Sequence, residues 1–116
     1  MSRPAISFMG LGYVGLTTAA CLASRGFKVI GFDVDPKKVE VVNRGVCPIY
    51  EPGLEELLRD AVSKGLLRAT TDYREAVLES DITFITVGTP SLETGEIDLR
   101  YVRGASRMIG EALSEK

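Results

Sequence analysis

The run Ile6-Ser7-Phe8-Met9-Gly10-Leu11-Gly12-Tyr13-Val14-Gly15 limits what this chain can fold into more than any other stretch, because eighteen residues after its last glycine Asp33 ends a second apolar run. Gly10 permits a tight turn out of a first strand. Gly12 lets backbone approach a pyrophosphate, and Gly15 lets the following helix pack closely on a sheet. The helix N-terminus then offers unpaired N–H groups and the positive end of its dipole. A glycine pattern alone is weak, but a strand before it, a helix after it and an acidic residue at this distance together read as a dinucleotide site.

The chain has 116 residues, 45% of them hydrophobic, enough for one domain with its own core, taken as 1–116. A net charge of −2 and a pI near 5.2 provide no basic surface for phosphodiester backbones or anionic lipid, so nucleic acid and membrane are not expected partners. There is no apolar stretch of about eighteen residues. The first strand begins too early to leave room for a signal peptide, so a cytoplasmic location is expected. Two cysteines do not make a disulfide framework; Cys21 falls in a helix, Cys47 in a loop, and both are read as reduced thiols. With no histidine, Ser-His-Asp and Cys-His catalysis and imidazole-bound zinc are excluded, and no metal is expected.

Ala5 to Met9 is a short apolar strand of the kind buried on both faces in a parallel sheet. Helical spacing of Val14, Thr18, Cys21 and Leu22 predicts a helix from Tyr13 to about Arg25, stopped by Gly26, with those residues on its buried face. Lys28 to Phe32 is the second strand. Asp35 is the expected N-cap of the next helix, with Pro36 at its first position and Val39, Val42 and Val41 covering the sheet. After Asn43-Arg44-Gly45 comes a loop stiffened by Pro48 and Pro52. It leads into a helix from about Gly53 to Ser63 that carries an apolar stripe of Leu54, Leu57, Leu58, Ala61 and Val62.

Glu51 is expected to cap that helix, the alternative being that the loop carrying Tyr50 and Glu51 faces a subunit interface or the active site. Leu67 to Thr70 is a third strand, and Asp72 to Glu75 has the spacing of a capping box. Ile82 to Val87 is a fourth strand ending in the turn Gly88-Thr89-Pro90. Asp98 then caps a last helix carrying Leu99, Val102, Ile109 and Leu113. Thr83 and Thr86 are read as strand residues without chemistry.

Right-handed crossovers make this an α/β fold, a Rossmann-type doubly wound parallel sheet of strand order 3-2-1-4, incomplete at its C-terminal side. Its ligand crevice lies outside the carboxyl ends of strands one and four, where Gly10 to Gly15, Asp33 and Gly88 to Pro90 converge. A carboxylate at Asp33 accepts both hydroxyls of an adenosine ribose but repels a 2′-phosphate, so NAD is expected over NADP even with Lys37 and Lys38 nearby.

The strings Gly10 to Leu16, Gly31-Phe32-Asp33-Val34-Asp35, Pro48-Ile49-Tyr50-Glu51-Pro52-Gly53-Leu54, Thr70-Thr71-Asp72 and Val87-Gly88-Thr89-Pro90 resemble the N-terminal, NAD-binding domain of the UDP-glucose/GDP-mannose dehydrogenase family, on the UDP-glucose 6-dehydrogenase side. The resemblance implies NAD contacts at Tyr13, Val14, Asp33, Lys38 and Thr89. With Gly10, Gly12, Gly15, Gly88 and Pro90 these form the candidate cofactor set. It further implies a nucleotide-sugar substrate oxidised at C6 to a carboxylate by two successive NAD, through a cysteine-bound intermediate.

No catalytic residue is assigned within the chain, because the family's nucleophilic cysteine, its dimerisation domain and its nucleotide-sugar domain are expected beyond Lys116. Cys47 is not read as that nucleophile. The fourth strand would then be an exposed apolar edge, so self-association is expected, as is homo-oligomerisation of a longer parent. The alternatives are a non-enzymatic NAD-sensing module or another Rossmann dehydrogenase, for which the proline-bracketed loop has no use.

Overall fold

In a computed structural model, which describes residues 3–87 and 99–115, the strands are each four residues long, and side chains of the first three alternate between two covered faces. They are β1 (Ile6–Met9), β2 (Val29–Phe32), β3 (Leu67–Thr70) and β4 (Ile82–Ile85), all parallel and ordered β3-β2-β1-β4. The order and the parallel pairing match expectation. The helices are α1 (Tyr13–Ser24), α2 (Pro36–Asn43), α3 (Leu54–Ser63), α4 (Tyr73–Leu78) and α5 (Arg100–Leu113). Ile6, Phe8, Val29, Leu67 and Ala69 point to one layer, where they pack with Leu16, Ala19 and Ala23 of α1, Val42 of α2 and Leu58 and Ala61 of α3. Met9, Ile30 and Phe32 point the other way, onto Ala76 and Val77 of α4 and Ala105 and Ala112 of α5.

Three helix faces depart from expectation. On α1 the buried residues are Gly15, Leu16, Ala19, Ala20 and Ala23, whereas Val14 and Cys21 are exposed. The helix is apolar almost all round, so periodicity has no contrast to read. Close approach then selects the small residues at 15, 19 and 23 as the facing row. On α5 the same preference buries Ala105 and Ala112, with Met108 and Ile109 packed beside them, and leaves Leu99 and Leu113 about half exposed. Likewise Leu57 of α3 lies outside the buried stripe, which is Leu54, Leu58 and Ala61.

The caps follow local chemistry more closely. Asp35 accepts from Lys37 N–H at 3.0 Å with Pro36 at the first helical position, and Asp72 accepts from Arg74 N–H at 3.0 Å. The return half of the predicted capping box is replaced. Thr70 Oγ1 accepts the Asp72 N–H at 3.0 Å, while the Glu75 carboxylate pairs with Arg68 and accepts from Thr70 Oγ1. Arg68 on the neighbouring strand is a stronger partner for a carboxylate than a backbone amide. Glu51 does not cap α3; its N-cap is Gly53 with a positive φ of 81° and no side-chain hydrogen bond. The expected cap Asp98 lies outside the described residues.

Candidate functional site

At the carboxyl ends of β1 and β2 the turns that leave the sheet border one cleft. Gly10, with φ +119°, makes the turn that only glycine adopts without strain. A Cβ on it would stand 2.8 Å from the Thr86 carbonyl oxygen, so β4 also needs this glycine. Leu11 then folds back into the core with 1% exposure. Its side chain occupies the space a Cβ on Gly31 would fill, which gives the second apolar run a reason for its glycine. The turn thereby returns the chain to the mouth of the cleft at Gly12, the N-cap of α1.

Gly12 is open. Nothing lies within 4 Å of a Cβ built there, and no side-chain hydrogen bond caps the helix. First-turn N–H groups of α1 are therefore left, with the helix dipole, at a cleft that Gly12, Tyr13 and Val14 line. Gly15 is the opposite case. A Cβ on it would penetrate the Gly10 carbonyl oxygen and stand 2.7 Å from Thr86 Oγ1. That hydroxyl donates to the Gly10 carbonyl at 2.7 Å, tying the end of β4 to the glycine turn. Thr86 thus has a positioning role that the sequence reading did not assign it.

Across the cleft, Asp33 is held by two backbone donors, Leu11 N–H to Oδ2 at 2.9 Å and Asp35 N–H to Oδ1 at 3.0 Å. Lys38 Nζ lies 3.6 Å from Oδ2, and the Asp33 side chain is only 12% exposed. A carboxylate accepts about four hydrogen bonds, so capacity remains for a diol. The glycine turn, Asp33 and Lys38 line one cavity of about 570 Å³, within the roughly 300–1,000 Å³ range of small-molecule sites. Its walls include Phe32, Val34, Val87 and Met108, an apolar lining suited to a flat aromatic base. Arg100, Tyr101 and Gly104 of α5 close another side. Sequence reading missed these α5 residues, since nothing local ties a helix that begins at Arg100 to a turn that begins at Gly10.

Of the candidate set, the fold brings together Gly10, Gly12, Tyr13, Val14, Asp33 and Lys38 around the cavity, with Gly15 beneath them. Gly88, Thr89 and Pro90 lie outside the described residues, although Thr86 and Val87 lead to them from the cleft wall. Neither cysteine lines the cleft. Cys21 is exposed on α1, and Cys47 lines a separate cavity and donates from Sγ to the Ile49 carbonyl at 2.9 Å. Among the described residues no His, Cys, Asp and Glu cluster is arranged to hold a metal ion, and no helix is long and apolar enough to cross a membrane.

These residues fit NAD. The open position at Gly12 leaves room for a diphosphate, and Asp33 keeps acceptor capacity at the cleft that a ribose diol could use. Comparison with known proteins agrees. The profile described as "UDP-glucose/GDP-mannose dehydrogenase family, NAD binding domain" matches residues 4–116. A crystallised ternary complex of GDP-mannose dehydrogenase from Pseudomonas aeruginosa superposes with a TM-score of 0.94 at 51% identity, covering 96% of this chain and 26% of that one. A UDP-glucose dehydrogenase from Pyrobaculum islandicum gives 0.92 at 46% identity, over 96% and 26%. The UDP-glucose 6-dehydrogenase TuaD of Bacillus subtilis is 46% identical over 109 residues, 94% of this chain and 24% of its own. The chain thus spans about a quarter of the length of the curated relatives it matches.

Proposed function

The chain belongs to the UDP-glucose/GDP-mannose dehydrogenase family, by its NAD-binding domain, and from that premise we propose that it is the cofactor-holding part of a nucleotide-sugar 6-dehydrogenase. NAD, when bound, would supply the acceptor for one hydride from C6 of the sugar, and a second NAD in its place the acceptor for the next, on the way from alcohol to carboxylate. In this reading the first turn of α1 and Gly12 hold the diphosphate, Asp33 orients the adenosine ribose, and Lys38 steadies Asp33. Tyr13, Val14 and the Gly88-Thr89-Pro90 turn complete the contacts. The observation that carries the reading is the conjunction of an open Gly12 with a partly buried, doubly anchored Asp33 across one cleft.

The nucleophilic cysteine of the two-step oxidation is assigned to sequence outside these 116 residues, because Cys21 and Cys47 do not line the cleft. The substrate is a nucleotide sugar, with UDP-glucose, GDP-mannose and an N-acetylated relative the candidates. A cytoplasmic setting fits two free thiols. Calorimetry of this chain with NAD and with NADP tests the cofactor part, and NADH formation by the full-length protein from each nucleotide sugar tests the reaction. NADP binding equal to NAD would overturn the first, and no NADH from any nucleotide sugar the second.

A further inference from the structure

The proline-bracketed loop from Pro48 to Gly53 lines no part of the cleft, yet one of its side chains reaches a residue that does. Glu51 is free of helix capping, and its Oε2 accepts from the Tyr13 hydroxyl at 2.9 Å. The two residues are 38 apart in sequence. Tyr13 opens α1 and lines the mouth of the cleft beside Gly12. The tyrosine is 56% exposed, so packing alone does not hold its ring. The acceptor stands on stiffer ground: Pro48 and Pro52 flank it with fixed φ, and its carbonyl takes the Leu54 N–H at 3.1 Å.

We infer that Glu51 is a positioning residue for the cofactor, holding the Tyr13 ring at the cleft mouth through one hydrogen bond. The inference rests on the NAD site proposed above. Its physical basis is conformational entropy. A ring already held in place is not immobilised at the moment of binding, and ordering one mobile side chain weakens an exposed site by about two- to fivefold. The same link makes the loop from Pro48 to Gly53 part of the cofactor site, although no cofactor atom need touch it.

The test is calorimetric titration of the chain with NAD, with melting temperatures recorded for each variant. Glu51→Ala is expected to weaken NAD binding about two- to fivefold. Glu51→Gln, whose amide oxygen still accepts from the hydroxyl, is expected to restore it. Tyr13→Phe is expected to weaken binding at least as much as Glu51→Ala, with no further loss when the two are combined. A purely structural Glu51 would lower the melting temperature and leave the Tyr13→Phe and Glu51→Ala effects additive. That result, or NAD binding indifferent to Glu51→Ala, or a Gln variant as weak as the Ala variant, would overturn this inference alone. Absence of NAD binding by the unaltered chain would overturn it together with the cofactor reading.

Discussion

A single methyl group placed at Gly15 or at Gly12 should separate folding from binding, because the two glycines are needed for different reasons. At Gly15 alanine would bring about 1 kcal/mol of helix propensity. Its Cβ, however, would penetrate the Gly10 carbonyl oxygen and stand 2.7 Å from Thr86 Oγ1. Relief requires α1 to move off the sheet or the Thr86 to Gly10 hydrogen bond to break. Overpacking costs about 1–3 kcal/mol and the lost bond about 1 kcal/mol. The net destabilisation is about 1–3 kcal/mol, a fall in Tm of about 5–15 °C for a domain near this size. The variant still folds if the parent has a typical 5–15 kcal/mol of stability, on the order quoted for such domains.

Gly12→Ala meets nothing within 4 Å, at φ −79°, and loses only the glycine preference of an N-cap. Its Tm should fall by no more than about 4 °C. The methyl nevertheless enters the space between the helix N-terminus and a diphosphate, so NAD affinity should drop about tenfold or more, roughly 1.4 kcal/mol. Thermal melts by circular dichroism and calorimetry on both variants make the comparison. A Gly15→Ala melt that overlays the parent, or NAD affinity unchanged by Gly12→Ala, would refute the reasoning.

Asp33→Asn keeps the shape but removes the charge, and should narrow the preference for NAD over NADP by about tenfold in paired titrations; an unchanged ratio would show that the carboxylate is not the discriminator. Ile82, Phe84 and Ile85 of the edge strand β4 are each more than 40% exposed. Self-association should therefore appear in light scattering at high concentration and be suppressed by Ile82→Lys; a monomer at every concentration would contradict this.

Hydrogen bonding to Glu51 raises the Tyr13 phenol pKa above its ordinary value, and hydrogen bonding to Glu111 does the same for Tyr73. The protonated phenols are what the fold holds, so these contributions are complete below the ordinary value of about 10 and are lost as pH rises through the raised ones. Ultraviolet titration should show one tyrosine moving down in Glu51→Ala, and no movement would sink the assignment.

Much of the site was legible because its parts are local. Asp35 and Asp72 cap their helices as read, since the acceptor and the donors lie within three residues. Gly10 and Asp33 were legible because a turn out of a strand and an acid at the next strand's end each follow from short segments. The misassignments have a common cause in distance. Thr86 reaches Gly10 across 76 residues, and Glu51 gave up its expected cap for a tyrosine 38 residues earlier. For Glu75, a cation on the adjacent strand outcompeted a nearby amide.

The sequence by itself determined a parallel sheet of order 3-2-1-4, a glycine turn into a helix, and an acidic residue facing it, because strand length, crossover hand and turn chemistry leave few other solutions. Only the tertiary structure decided which side of each helix is buried. On α1 and α5 the alanines, with Leu16 beside them on α1, face the sheet while Val14 and Leu113 stay exposed, since packing at short separation selects by volume as well as by hydrophobicity. It also decided that the cleft is finished by Thr86, by the first turns of α5 and by the Tyr13 to Glu51 link. These depend on segments meeting in space, where a hydrogen bond forms or fails over a few tenths of an ångström.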